Sequence, residues 1–220
     1  MPYVREYSKR LIKLLVLVGG IFFGFGAVSV AVAQEAPDVL IRRVSQQVLG
    51  IAKTDKDIQS GNRKRILELV EEKIVPYVDF ERATSMAAGH YWREATQAQQ
   101  VRLTGEFRQL VTYTYSGALS QVKDQKLEFK PLRADPSAKE VEVRSEVVRT
   151  GGTPIELDYR LEKTPSGWKI YDINVLGAWL VETYQSTFSS EIGKSGIDGL
   201  IKALAEKNKN LSSKGEKAAK

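Results

Sequence analysis

The sequence predicts an α+β fold, a four-stranded antiparallel sheet covered by helices, on three observations. Apolar residues recur at helical spacing through the first half of the chain and again near its end. Between these regions, residues 126–175 alternate apolar and polar side chains with period two, broken at 149–153 and 164–167 by turn-forming residues. Finally, residues 167–192 change period at Gly177, so that the last strand turns directly into an aromatic-rich helix carrying Leu180, Val181, Tyr184, Phe188 and Ile192 on one face. Neither element buries its apolar face alone, so the helix must lie back over the sheet.

Pro37 and Asp38 open the first predicted helix, with Ile41, Val44, Val48 and Ile51 on its buried face. Residues 53–65 are polar and charged and predict a solvated connection. In the second helix Ile66, Leu69, Val70 and Ile74 form the stripe, and Pro76 stops it. Asp79 is the expected N-cap of a short third helix that buries Phe80, Ala83 and Met86. Residues 89–93, Gly-His-Tyr-Trp-Arg, predict a compact aromatic turn. Thr96-Gln97-Ala98-Gln99 has the form of a capping box, in which the Thr and Gln side chains each serve the other's backbone N–H. It opens the longest helix, expected to reach about Lys123. Leu103, Phe107, Leu110, Thr114 and Ala118 form one row of it, widened by Val111, Tyr115, Leu119 and Val122, an arc that suits contact on two sides.

The first strand, 126–132, is short and interrupted by a proline, which suits an edge. In the second, Val141, Val143, Ser145 and Val147 oppose Glu142, Arg144 and Glu146. The third puts Ile155, Leu157, Tyr159 and Leu161 on one face, and the fourth spans 168–175. After the aromatic helix, Ser195 is the expected cap of a last one bearing Ile197, Leu200, Ile201 and Leu204.

The two ends differ from the body. Arg5, Lys9, Arg10 and Lys13 precede an uncharged apolar run, and Ala31-Val32-Ala33 has the small-x-small pattern of a cleavage site. Residues 1–33 therefore read as a signal peptide cleaved before Gln34, with the body exported. The competing reading is a membrane-anchored scaffold, because residues 14–33 are long enough to span a bilayer if uncleaved. Of the formal charge of +6, residues 1–33 carry +3 and residues 207–220 carry +4, which leaves −1 on residues 34–206. A nucleic-acid protein concentrates its positive charge on the folded domain, so that partner class is set aside. Residues 207–220 are expected to be a disordered basic tail, and 34–206 a single domain.

Chemistry is sparse. The chain has no Cys and one His, His90, which the aromatic turn explains as packing. No Ser lies in a strand–GxSxG–helix context, no His/Cys/carboxylate spacing suits a metal, and no glycine loop cradles phosphate. These absences argue against an enzyme. What remains is a surplus of large rings, several of them Tyr, whose hydroxyls need a partner when buried or stand at a wet pocket mouth. Periodicity alone leaves two outcomes open, a packed core or an apolar cavity.

Two blocks of residues go further. The first is Asp79-Phe80, Met86, Gly89-His90-Tyr91-Trp92-Arg93-Glu94-Ala95-Thr96 and then Phe107-Arg108-Gln109-Leu110-Val111, Tyr115 and Ala118-Leu119. The second is Gly167-Trp168-Lys169-Ile170-Tyr171-Asp172-Ile173-Asn174-Val175-Leu176-Gly177, followed by Leu180-Val181, Tyr184, Phe188, Gly196 and Leu200-Ile201. In this order they resemble the periplasmic phospholipid-binding MlaC/toluene-tolerance (Ttg2-type) family, over about residues 36–204. The chain departs from the family's usual residues at Gln97, at Trp179 and at Gln185.

The resemblance implies a periplasmic carrier in a Gram-negative bacterium. Such a carrier moves phospholipid between an outer-membrane lipoprotein–porin complex and an inner-membrane ABC transporter with an MCE-domain subunit, maintaining outer-membrane lipid asymmetry. It implies no cofactor and no catalytic residue, and it places acyl tails in an apolar lipid-binding cavity between sheet and helices. Combined with the periodic faces, it points to Phe107, Leu110, Val111, Tyr115, Val143, Val147, Leu157, Tyr159, Tyr171, Val181, Tyr184 and Phe188 as the lipid-binding surface.

Overall fold

In the computed structural model, which describes residues 34–218 and their side chains through residue 213, Pro37 starts helix α1, Pro37–Thr54. Of the predicted stripe Ile41, Val44 and Val48 are buried, together with Leu40 and Ala52, while Ile51 is half-buried. The expected solvated connection instead holds one turn of helix, α2, Lys56–Gln59. Asp55 caps it by accepting from the N–H groups of Asp57 at 3.0 Å and Ile58 at 3.2 Å. Ile58 is fully buried, a single apolar residue that the polar composition around it conceals. Helix α3, Arg63–Lys73, is capped by Asn62 and buries Ile66, Leu69 and Val70. Pro76 then lies in a 3-10 turn, Val75–Tyr77.

Asp79 caps α4, Phe80–Ala88, through the Arg82 N–H at 2.8 Å. The aromatic segment forms a turn and α5, Tyr91–Glu94. The capping box at Thr96 and Gln99 is complete and opens α6, Gln97–Tyr115. This helix is shorter than expected. At Ser116 the backbone tightens into a 3-10 helix, Ser116–Gln121. Of the predicted row, Thr114 and Tyr115 at the end of α6 and Ala118 in the 3-10 helix are exposed.

The four predicted strands become six segments of one antiparallel sheet. They are β1 (Lys126–Phe129), β2 (Glu140–Val143), β3 (Ser145–Val148), β4 (Ile155–Thr164), β5 (Gly167–Val175) and β6 (Ala178–Trp179). The order is β1-β3-β4-β5-β6, with β2 also paired to β4, so β1 is the expected edge. β2 and β3 are the single predicted strand, broken at Arg144. At the break the buried Asp158 carboxylate accepts the Ser145 N–H at 3.0 Å. Burial raises the pKa of Asp158 above its ordinary value. β5 contains a bulge: Leu161 pairs with Ile170 and Arg160 with Asp172, which leaves Tyr171 as the extra residue.

Helix α7, Leu180–Ala218, breaks at Gly196, whose φ of 70° and ψ of −178° only glycine adopts readily. Ser195 does not cap the second half as expected; its hydroxyl turns back to the Glu191 carbonyl at 3.0 Å. The expected disordered tail continues this helix. Asn208 is buried and donates to the Glu106 carbonyl at 2.9 Å, and Leu211 packs on the core. The lysines that suggested a tail, Lys207 and Lys209, lie on the exposed side of a partly buried helix. Among the described residues no helix is long and apolar enough to cross a membrane. The predicted signal peptide, residues 1–33, lies outside the described residues.

Two cores result. In the first, α1, α2 and α3 pack on Val143, Tyr159, Leu161, Trp168 and Ile170 of the sheet. In the second, α4, α6 and α7 pack on one another through Ala83, Ala87, Leu103, Phe107, Leu110, Val181, Phe188 and Leu200. They meet at β5.

Candidate functional site

At that junction the chain leaves an apolar recess of about 40 Å³. β5 supplies one wall, Ile170 to Ile173. The opposite walls come from Val78, from Phe80 and Ala83 of α4, from Phe107 and Val111 of α6, and from Leu180 and Val181 of α7. Phe107 is held by edge-on contacts with Tyr184, centroids 4.9 Å apart, and with Phe188 at 5.1 Å. Two larger depressions, about 600 Å³ and 590 Å³, have a larger polar share in their lining than the recess. The first is lined by Lys130, Arg133, Asp135, Glu140, Glu142 and Arg144, charges that suit water rather than hydrocarbon. The second shares Val78 and Phe80 with the recess. Size favours the two depressions, but apolar character and position between the cores favour the recess as the candidate site.

The β5 bulge shapes this wall. Without it, period two would put Tyr171 and Ile173 on one face and Ile170 and Asp172 on the other. With it, all four reach the recess. The Tyr171 ring lies under the Arg82 guanidinium at 4.0 Å and its hydroxyl donates to Glu140 at 3.0 Å. Arg82 also pairs with Glu140 and Glu162, tying α4 to the sheet. Burial, then the Glu140 carboxylate, raises the Tyr171 pKa.

Asp172 is the polar member of the wall, and its side chain is fully buried. One carboxylate oxygen accepts from the N–H groups of Ile173 at 2.9 Å and Val181 at 3.0 Å. The other faces the Arg160 guanidinium at 3.4 Å. Asp172 therefore caps the first turn of α7 from the strand that precedes it. Burial raises its pKa, opposed by these donors and by Arg160. Each of these contacts is to the protein itself, and together they tie β5 to the start of α7.

Of the twelve sequence-predicted residues, Phe107, Val111, Tyr171 and Val181 stand on the recess wall. Leu110, Tyr184 and Phe188 lie one layer behind, in the second core. Val143, Tyr159 and Leu157 face the opposite way, against α1–α3 in the first core. Burial pushes the Tyr159 phenol up to about 12. Val147 pairs with Leu127 and Ile155 across the strands, and Tyr115, the last residue of α6, is exposed. Missed were Val78, Phe80, Ala83, Ile170, Ile173 and Leu180. Phe80, Ala83 and Leu180 were legible as apolar residues on the faces of their helices, and Ile173 as sharing the period-two face of Tyr171, whereas Ile170 is brought to the same wall by the bulge.

His90 is exposed and lies against Tyr91, ring centroids 3.9 Å apart. Among the described residues no group of three or more His, Cys, Asp or Glu is placed to hold a metal.

Fold and site thus define an α+β protein whose sheet and helices enclose an apolar recess. The family model for the MlaC protein matches residues 42–206, and the chain belongs to the MlaC family. Curated relatives include the intermembrane phospholipid transport system binding protein MlaC of Haemophilus influenzae, 22% identical over 90% of this chain and 94% of that protein. Toluene tolerance protein ttg2D of Pseudomonas putida is 24% identical over 86% of this chain and 91% of its own length. Among solved structures, a phospholipid-binding protein from Ralstonia solanacearum in complex with a phospholipid superposes with a TM-score of 0.77. It is 41% identical and covers 81% of this chain and 99% of its own.

Proposed function

We propose that this chain is a phospholipid carrier whose recess between β5 and helices α4, α6 and α7 receives acyl tails while the headgroup stays near solvent. The observation that carries the reading is the apolar recess at the seam of the two cores. The 41%-identical relative that holds a phospholipid supports it.

Enclosing two acyl chains of about thirty methylenes is worth about 24 kcal/mol at ~0.8 kcal/mol each. That exceeds the roughly 18–21 kcal/mol at which aqueous affinities saturate. The working exchange is therefore bilayer to protein, apolar to apolar, with a difference small enough to reverse. At about 40 Å³ the recess is far below ligand-pocket size, so its walls part as tails enter. We extend the reading to the family's route. Residues 1–33 export the chain to the periplasm, where it passes lipid between an outer-membrane lipoprotein–porin complex and an inner-membrane ABC transporter with an MCE-domain subunit. Outer-membrane lipid asymmetry is maintained by that traffic.

Native mass spectrometry of the mature protein, with lipid analysis after denaturing extraction, tests this. The expected result is diacyl phospholipid at fixed stoichiometry, reduced in Val111→Trp and unchanged in Val147→Trp. A protein that stays lipid-free after incubation with phospholipid vesicles overturns the reading in favour of an exported interaction module.

A further inference from the structure

The β5–β6 hairpin turns on Leu176 and Gly177, with φ of 56° and 83°. Two successive positive-φ residues are the type I′ arrangement of tight hairpins, which Asn, Asp or Gly usually supply. Leu176 is the one non-glycine residue with positive φ among the described residues. It is also 70% exposed, the highest of the exposed large apolar side chains described. Neither property serves folding, because Asn would suit both the turn and the water. Two penalties on one residue point to a contact made outside the folded chain.

The tip leads directly to the recess. Ala178 is exposed, and the half-buried Trp179 ring lies against the Arg160 guanidinium at 3.7 Å. Leu180 and Val181, next in the chain, line the recess. Residues 176–181 therefore run from that exposed side chain to the recess wall without one charged residue. A tryptophan beside a guanidinium suits the depth at which a bilayer changes from headgroup to hydrocarbon.

We infer that the hairpin tip at 176–179 inserts into a phospholipid bilayer surface and forms the threshold over which a lipid passes into the recess. This rests on the phospholipid reading above. Leu176 supplies the apolar point and Trp179 the interfacial ring. The 176–181 strip keeps an acyl tail in apolar contact as it leaves the bilayer.

The test uses delipidated mature protein and vesicles of phosphatidylethanolamine and phosphatidylglycerol carrying a fluorescent phospholipid. Initial uptake rate, final stoichiometry and thermal midpoint are measured for wild type, Leu176→Asn and Leu176→Phe. Leu176→Asn is expected to slow uptake about tenfold, the effect of losing one buried apolar side chain from the inserted state. Its midpoint rises, because Asn accepts positive φ, and its final stoichiometry matches wild type. Leu176→Phe keeps most of the wild-type rate. Unchanged uptake in Leu176→Asn, or equal slowing in both variants, overturns the insertion while leaving the carrier reading intact. A lower final stoichiometry in Leu176→Asn overturns it too, by placing Leu176 in the binding site. A wild type that takes up no lipid overturns both.

Discussion

Asp172 shows how much one side chain can organise. Its carboxylate joins the backbone of β5, the first turn of α7 and Arg160, all at the recess wall. Asp172→Ala would leave the buried Val181 N–H, the part-buried Ile173 N–H and a guanidinium without this acceptor, at a cost of about 2–4 kcal/mol. Asp172→Asn keeps an acceptor oxygen and should lose less; urea denaturation of the two variants gives the order. Tyr159 makes a pH prediction. Its folded pKa of about 12 stands above the ordinary 10.0, with burial the largest cause. The stability held by the neutral phenol is therefore complete below pH 10 and lost as pH rises through about 12. Tyr159→Phe keeps the ring in the first core, and its stability should fall less across that window in a pH series of denaturation curves.

Among the elements, α7 is the one whose sequence signals were most mixed. Ser195, as an expected cap, marked its interruption, but the conformation that breaks it belongs to Gly196. A Cβ there meets nothing within 4 Å, so the cost of Gly196→Ala is purely that of the backbone. It should lower stability by about 1–3 kcal/mol in chemical denaturation, by disfavouring the break between the two halves of the helix. The helix caps at Asp79 and Thr96 were legible because a cap is written in three or four adjacent residues. Ile58, Asn208 and the 3-10 turn after Tyr115 were not. Their burial or backbone choice is decided by partners far along the chain, such as Glu106 for Asn208.

For the molecule as a whole, the fold class and the order of its elements were legible, since binary patterning sets both. The division into two cores was not. Periodicity says which residues are buried and not which neighbour they are buried against, so Val143 and Tyr159 read the same as Phe107 and Val181. The bulge at Tyr171 separates the outcomes, because it turns β5 from a two-faced strand into one that serves both cores. It also bears on insertions and deletions. Take Tyr171 out, and Asp172 still follows Ile170 opposite Arg160 with every other side chain on its present face. A regular ladder could thus have gained a recess wall by adding one codon. What that residue added is local: a ring under Arg82, a hydroxyl on Glu140 and one more side chain on the recess wall.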